Sequence, residues 1–336
     1  MPTRVLVTGA TGKQGGATVD ALLAKGGSFE VFAMTRNASS PAASALAQKG
    51  VKVLIGDWND KASVETALRT SKATQVFLVT DFWVAAKCKE GIEVMQGCNV
   101  IDAVKSVDPS IFVLYTSVGD ADKTGPEVHH FVAKARVEKY LAATLKAWAV
   151  LRPCSFLDNL DDAATFNPLT KGKVKFLLPP DVAMKFVSCF DIGRAAANVF
   201  AEPASYQGKL LELSTCMHTG VELAAALTEA SGTPCTYGLS LPLPLFVVRL
   251  LAPDLVAMMD YFKGREGGYT ANVADGRALV GSGAMDAKAW FAHKGKWANG
   301  QKFGEPDPPS GGARTGILIA ATTVAAAAVA LRYMRS

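Results

Sequence analysis

The sequence predicts an α/β fold built on a parallel, doubly wound sheet, and three observations predict it. Over the first 152 residues, short apolar runs alternate with stretches whose apolar positions recur every three or four residues. A glycine-rich turn, Gly9, Gly12 and Gly15, stands between the first run and the first such stretch. A chain of 336 residues with 49% hydrophobic content can also bury such a sheet on both faces.

The elements follow in order. Apolar runs at 5–7, 29–34, 51–55, 74–80, 110–116 and 149–152 read as strands. Residues 14–26, 41–49, 61–70, 85–107 and 129–147 read as the helices between them, with Gly50 and Gly56 marking loops. Beyond Pro153 the pattern shortens: strands at 174–178, 186–187 and 209–213, and helices at 191–201 and 219–230, the former with Asp191 as its N-cap. This second part, 153–300, is expected to interleave with the first and to build a substrate side. A Pro- and Gly-rich linker, 301–314, follows.

Residues 315–332 come next, with seventeen uncharged positions between Arg314 and Arg332. At 1.5 Å per residue they would span about 26 Å, a little less than a bilayer core, so they read as a short transmembrane tail anchor. Their high alanine content leaves open a helix that floats free or docks on a partner. The strand 4–7 is too short for a secretory h-region and runs straight into the glycine turn, so the main body is expected to be cytosol-facing, tethered by the tail or else soluble in the cytoplasm.

Charge and cysteine content exclude some classes. A net charge of +5 from 35 basic and 30 acidic residues, with no basic block, gives nucleic acid nothing to grip. The six cysteines have no CxxC pair and no framework spacing, as expected of reduced thiols.

The glycine turn carries the first functional expectation. A strand that feeds a GxxGxxG turn and then a helix lets the backbone approach a pyrophosphate and aims the helix N–H groups at it. This is a Rossmann-type dinucleotide cradle. The second strand ends at Thr35 and Arg36. An acid there would accept from a ribose 2′-hydroxyl, whereas the arginine fork suits a 2′-phosphate, so NADP(H) is expected; the competing reading is a solvated loop arginine. After the third strand, Asp57 is placed to accept from an adenine amino group and Trp58 to cover the ring or to pack in the core.

Proton chemistry is expected after the fifth strand. Hydride transfer to a carbonyl commonly uses a tyrosine one helical turn before a lysine. Here Lys134 stands in the lysine place and His130, four residues earlier on the same face, in the tyrosine place. Tyr115 is expected to pack within the sheet. His130 reads either as a substitute acid or as a structural residue.

These stretches together, TGATGKQGG at 8–16, TRN at 35–37, GDWND at 56–60, VTDFW at 79–83, HFVAKARVEKYL at 130–141, LRPCSFLDNL at 151–160 and LSTCMHT at 213–219, resemble the NmrA-like family of atypical short-chain dehydrogenases/reductases, particularly its NADPH-sensing branch. The resemblance runs from residue 3 to about 295. It implies phosphate contacts from Gly9, Thr11, Gly12, Lys13, Gln14 and Gly15, 2′-phosphate contact from Arg36, and adenine contact near Asp57 and Trp58. It further implies Thr80 and Asp81 along the cofactor, Lys134 on the nicotinamide ribose, and Ser155, Phe156, Leu157, Asp158 and Asn159 closing over the nicotinamide. Pro41 and Met95 stand where that branch carries lysines. Without the tyrosine, the resemblance implies a redox sensor whose protein partner follows the cofactor state; the alternative is an NADPH-dependent reductase of a small carbonyl or quinone that works through Lys134, with His130 or water as acid. No metal site is expected.

Overall fold

In the computed structural model, which describes residues 2–161, 169, 172–239, 245–251 and 253–294, the elements run in chain order as follows. The first stretch is β1 (Thr3–Val7), α1 (Lys13–Leu23), β2 (Phe29–Thr35), α2 (Pro41–Gln48), β3 (Lys52–Ile55), α3 (Lys61–Ser71), β4 (Gln75–Val79), α4 (Glu90–Val107), β5 (Phe112–Thr116), α5 (His129–Thr144) and β6 (Trp148–Pro153). Next come β7 (Ser155–Phe156), a 3-10 turn (Leu157–Asp161), β8 (Lys173–Phe176), β9 (Met184–Val187), α6 (Cys189–Ala201), α7 (Pro203–Tyr206) and β10 (Leu210–Leu213). The last are β11 (Cys216–His218), α8 (Gly220–Ser231), β12 (Thr236–Leu239), α9 (Leu245–Leu251), α10 (Pro253–Lys263), α11 (Val273–Val280) and α12 (Ala287–Lys294).

The chain divides into two compact units. The first comprises residues 1–154, 187–215 and 270–284. Its sheet has seven parallel strands in the order β10-β6-β5-β4-β1-β2-β3, so the strand order reverses between β1 and β4, the point where an α/β sheet opens a crevice at its carboxyl ends. The sequence assigns residues 209–213 to the substrate side, yet they pair with β6 and complete this sheet.

One face of the sheet buries Leu6, Phe32, Val76, Val113 and Val150 against Val64 and Leu68 of α3, Val100 and Val104 of α4, and Val137 and Leu141 of α5. On the other face α1 and α6 cross closely. A Cβ on Gly193 of α6 would lie 2.3 Å from the Ala17 carbonyl oxygen, so only glycine permits the approach.

Local sequence explains the helix ends. Ser40 caps α2 with Pro41 in its first turn, Asp60 caps α3, and Asn272 caps α11. The cap of α6 is Ser188, whose hydroxyl accepts from the Asp191 amide; Asp191 sits in the first turn and is not the cap. Helix α4 begins at Glu90, five residues later than the apolar spacing suggests, because the Asp81 carboxylate collects the amides of Trp83, Val84 and Ala85 and holds that stretch as a turn.

The second unit comprises residues 155–186, 216–269 and 285 onward. It carries the sheet β11-β9-β7, in which β11 and β9 are antiparallel, the parallel pair β12-β8, and the packed helices α8 and α12 with Trp290 and Phe291 buried. Thr219 and Glu222 form a reciprocal capping box at the start of α8, and Gly232 ends it at a φ of 67°. Among the described residues no helix is long and apolar enough to cross a membrane. The tail 315–332 and the linker 301–314 lie outside the described residues.

Candidate functional site

The glycine turn is built by steric demand. Gly9 has a φ of +57°, and a Cβ there would meet Val79 Cγ1 at 2.6 Å; a Cβ on Gly15 would meet the Gly9 carbonyl oxygen at 2.3 Å. The Gly12 amide donates back to Gly9 at 2.9 Å, which closes the turn. Helix α1 then starts at Lys13 with no side-chain cap, so its first-turn amides face the turn unspent by any cap. Thr11, Gly12 and Lys13 are exposed on this rim. Gln14 points inward instead, where its Oε1 accepts from the Thr116 hydroxyl at 2.7 Å and ties α1 to β5.

Beside the turn lies a cavity of about 250 Å³ lined by Gly9, Thr11, Arg36, Ser40, Gly56 and Trp58, among others. Arg36 is exposed at the end of β2, with no ion pair among the described residues. Trp58 presents a half-buried ring whose Nε1 is buried without a hydrogen-bond partner among the described residues. Asp57 does not line this cavity: its Oδ1 accepts from the amide and side chain of Asn59 at 2.9 and 2.8 Å. Asp57 shapes the loop that presents Gly56 and Trp58.

At the ends of β4 and β5 a second group of side chains meets. Lys134 Nζ donates to Glu93 Oε1 at 2.7 Å and to the Thr80 hydroxyl and carbonyl at 3.2 and 3.4 Å. The Thr80 hydroxyl also donates to Glu93 Oε1 at 2.7 Å. That commits the threonine's only proton, so Tyr115, whose Oη lies 3.1 Å away, is the donor to Thr80. Burial and the Glu93 charge push the Tyr115 phenol well above its usual range, so it stays protonated. Ser117 is buried next along the chain with its hydroxyl lacking a partner among the described residues.

Glu93 was not foreseen. The sequence signal was a carboxylate, Glu93, in helical register with Val100, Ile101 and Val104, where burial would tolerate it only with a partner. Tyr115 does pack within the sheet as expected, but it also reaches Thr80.

His130 is buried on α5 one turn before Lys134, with ring centroids 4.8 Å from Phe131, 5.0 Å from Trp83 and 5.7 Å from Phe82. Its surroundings are aromatic, the setting of a packing residue. His129, outside that cluster, lies 3.2 Å from Glu90.

Asp81 spends its carboxylate on the turn described above. Ser155 and Phe156 form β7, and Leu157, Asp158 and Asn159 the 3-10 turn, all in the second unit. There Ser155 Oγ lies 3.4 Å from Tyr269 Oη, and Asp158 is 3.4 Å from Lys294. Cys154, Cys189 and Cys216 are buried, Cys98 and Cys235 half-buried and Cys88 exposed.

Chemically, the first unit offers backbone amides for an anion, a cation beside a slot for a flat group, and an ammonium already neutralised by a buried carboxylate. Around Lys134 the protons of Tyr115 and Thr80 are committed within the cluster.

Comparison with known proteins agrees with this architecture. Quinone oxidoreductase 2 of Escherichia coli K12 is 29% identical over 236 residues, covering 69% of this chain and 76% of that protein. An NAD(P)H azoreductase of Xenophilus azovorans is 24% identical over 241 residues, covering 69% and 76%. Among solved structures, the E. coli NADPH-dependent quinone oxidoreductase complexed with NADPH superposes with a TM-score of 0.68 at 26% identity, over 86% of this chain and 99% of that one. The negative transcriptional regulator NmrA in complex with NAD shares the fold, with a TM-score of 0.66 at 19% identity over 90% and 98%. The model of the NmrA-like family matches residues 1–264, and the chain belongs to that family.

Proposed function

We propose that the chain binds NADP(H) and passes its hydride to a quinone-like or similarly electron-poor conjugated acceptor. The observation that carries the binding is the steric one: Gly9 and Gly15 can carry no side chain because Val79 and the Gly9 carbonyl lie against them, and the tight turn they permit leads to the uncapped amides of α1 and borders the cavity beside Arg36. In this reading the pyrophosphate rests on the Gly9–Gly15 turn with Thr11 and Lys13 at its rim. The adenine covers Trp58, and the 2′-phosphate meets Arg36 near the Ser40-capped start of α2. Pro41 adds no charge there, so selection against NAD(H) falls on Arg36.

The bound cofactor would supply the hydride. Lys134, held by Glu93 and Thr80, then serves to donate hydrogen bonds to a ribose, and the proton that completes a hydroquinone comes from water. Such an acceptor stabilises the added electron pair by conjugation and needs no positioned acid, which is what the committed protons of Tyr115 and Thr80 leave possible. The similarity to a quinone oxidoreductase and to an azoreductase supports the same acceptor class.

A second reading rests on a specific observation: the tyrosine place is taken by a histidine caged in aromatic rings. In that reading the chain senses the NADP(H) ratio and signals it to a protein partner without turnover. One preparation separates the two. NADPH, NADP and NADH are titrated first, then NADPH oxidation is followed with a panel of quinones, azo dyes and simple ketones. Quinone turnover without ketone turnover supports the reductase; tight NADPH binding with no turnover on any acceptor overturns it in favour of the sensor. The apolar run 315–332 supports, in either reading, attachment of the body to a membrane.

A further inference from the structure

The segment from Asp81 to Lys89 joins β4 to α4 at the carboxyl end of the sheet and is more tightly built than a connecting loop requires. Its three amides on the Asp81 carboxylate are joined by bonds from Ala86 to the Asp81 carbonyl at 2.9 Å and from Cys88 to the Phe82 carbonyl at 2.8 Å. Lys87 and Cys88 hold φ values of +52° and +56° without being glycine, a conformation that persists only where its surroundings impose it.

The turn displays one side chain in particular. Phe82 is 3% exposed and points inward, whereas Trp83 is 47% exposed. The indole is nevertheless anchored: Phe82 meets it edge-on at 5.2 Å and 86°, and His130 lies at 5.0 Å and 48°. His130 is four residues before Lys134 on α5, on the same helix face, and Trp83 is three residues after Thr80. The exposed ring is thus fixed from two sides to the elements that carry Lys134 and Thr80.

The geometry points to Trp83 as the stacking wall for the acceptor, an electron-rich ring offering one face to a planar, electron-poor conjugated ring. This rests on the reductase reading and deepens it by naming what selects the acceptor. Phe82, His130 and Asp81 are positioning residues for the indole. A two-ring acceptor gains more from the wall than a one-ring acceptor.

The test uses the full chain and the variants Trp83→Leu and Trp83→Phe, with menadione and 1,4-benzoquinone as acceptors. Trp83→Leu is expected to raise the KM for menadione about tenfold, with kcat within about twofold and a smaller change for benzoquinone, while Trp83→Phe keeps most of the wild-type KM. The Kd for NADPH and the Tm are expected to stay unchanged. An unchanged menadione KM in Trp83→Leu, or a matching loss of NADPH affinity, overturns the assignment. If the wild-type chain turns over neither quinone, the reductase reading fails separately. Equilibrium dialysis of menadione against the NADP-saturated chain then decides the stacking site: binding that drops about tenfold in Trp83→Leu sustains it, and equal or absent binding ends it.

Discussion

Lys134 of α5 and Glu93 of α4 form an ion pair of 2.7 Å in which the carboxylate is completely buried and the lysine side chain 14% exposed. A pair this enclosed is held by complementarity, because either charge alone would be costly. Glu93→Gln is expected to destabilise the fold by about 2–4 kcal/mol, and Lys134→Met to do likewise, while the double variant recovers part of the loss. Denaturant unfolding of the four proteins checks this; a strictly additive double variant would show that the two charges are not coupled.

Arg36 has no protein counter-ion among the described residues, so its removal tests ligand choice with little structural cost. Arg36→Ala is expected to weaken NADPH about 10–100-fold, the worth of a charge-assisted contact, and to leave NADH affinity within about threefold. Fluorescence titration of both cofactors measures it, and equal affinities of wild type and variant for NADPH would refute the 2′-phosphate assignment.

Glu212 on β10 shares the buried guanidinium of Arg152 with Glu138 and Asp122. Burial, with the Asp120 charge beside it, pushes the Glu212 carboxyl up to about 7. A carboxyl raised in the fold favours the folded state fully below its unfolded value near 4.5, and that benefit is lost as pH rises through 7. Glu212→Gln is therefore expected to match the wild type near pH 5 and to exceed its stability by about 2 kcal/mol near pH 8. Thermal melts at the two pH values check it; a variant less stable at pH 8 would mean that the Arg152 pairing outweighs burial.

Two glycines separate packing from binding. Gly193→Ala forces a Cβ against the Ala17 backbone and is expected to cost about 3 kcal/mol, with the NADPH affinity of the remaining folded protein within about threefold of wild type. Gly15→Ala forces a Cβ into the Gly9 carbonyl and is expected to abolish NADPH binding. Calorimetry and cofactor titration on both variants distinguish the roles, and a Gly15→Ala protein that binds NADPH normally would remove the glycine turn from the site.

A soluble reporter carrying residues 301–336 is expected to remain with membranes after carbonate washing, and a fully soluble reporter would dispose of the anchor.

The parallel sheet was legible in the sequence because most of its strands are largely apolar runs between helical stretches, the pattern that burial on both faces produces. The glycine turn was legible because its steric demand is local. Glu93 was not, since its meaning depends on Lys134, forty-one residues away, and only packing joins α4 to α5. The part Asp81 plays in its turn was not legible either, because it depends on the backbone path that brings the amides of Trp83, Val84 and Ala85 to its carboxylate. The pairing of residues 210–213 with β6 was not legible, because an edge strand in a parallel sheet is placed by its crossover, which composition does not encode.

That crossover has a consequence for synthesis. The chain passes between its two units five times, and the first unit takes its final pieces from residues 187–215 and 270–284. Until Leu210–Leu213 has left the ribosome, β6 is an open sheet edge and Arg152 has no Glu212; until Thr270 follows, Asp120 lacks the amide that it accepts from. A nascent chain halted at residue 154 would carry the whole glycine turn and still expose a strand edge inviting pairing with another chain. The cradle, complete in sequence within the first sixteen residues, becomes part of a finished sheet only after most of the protein has been made.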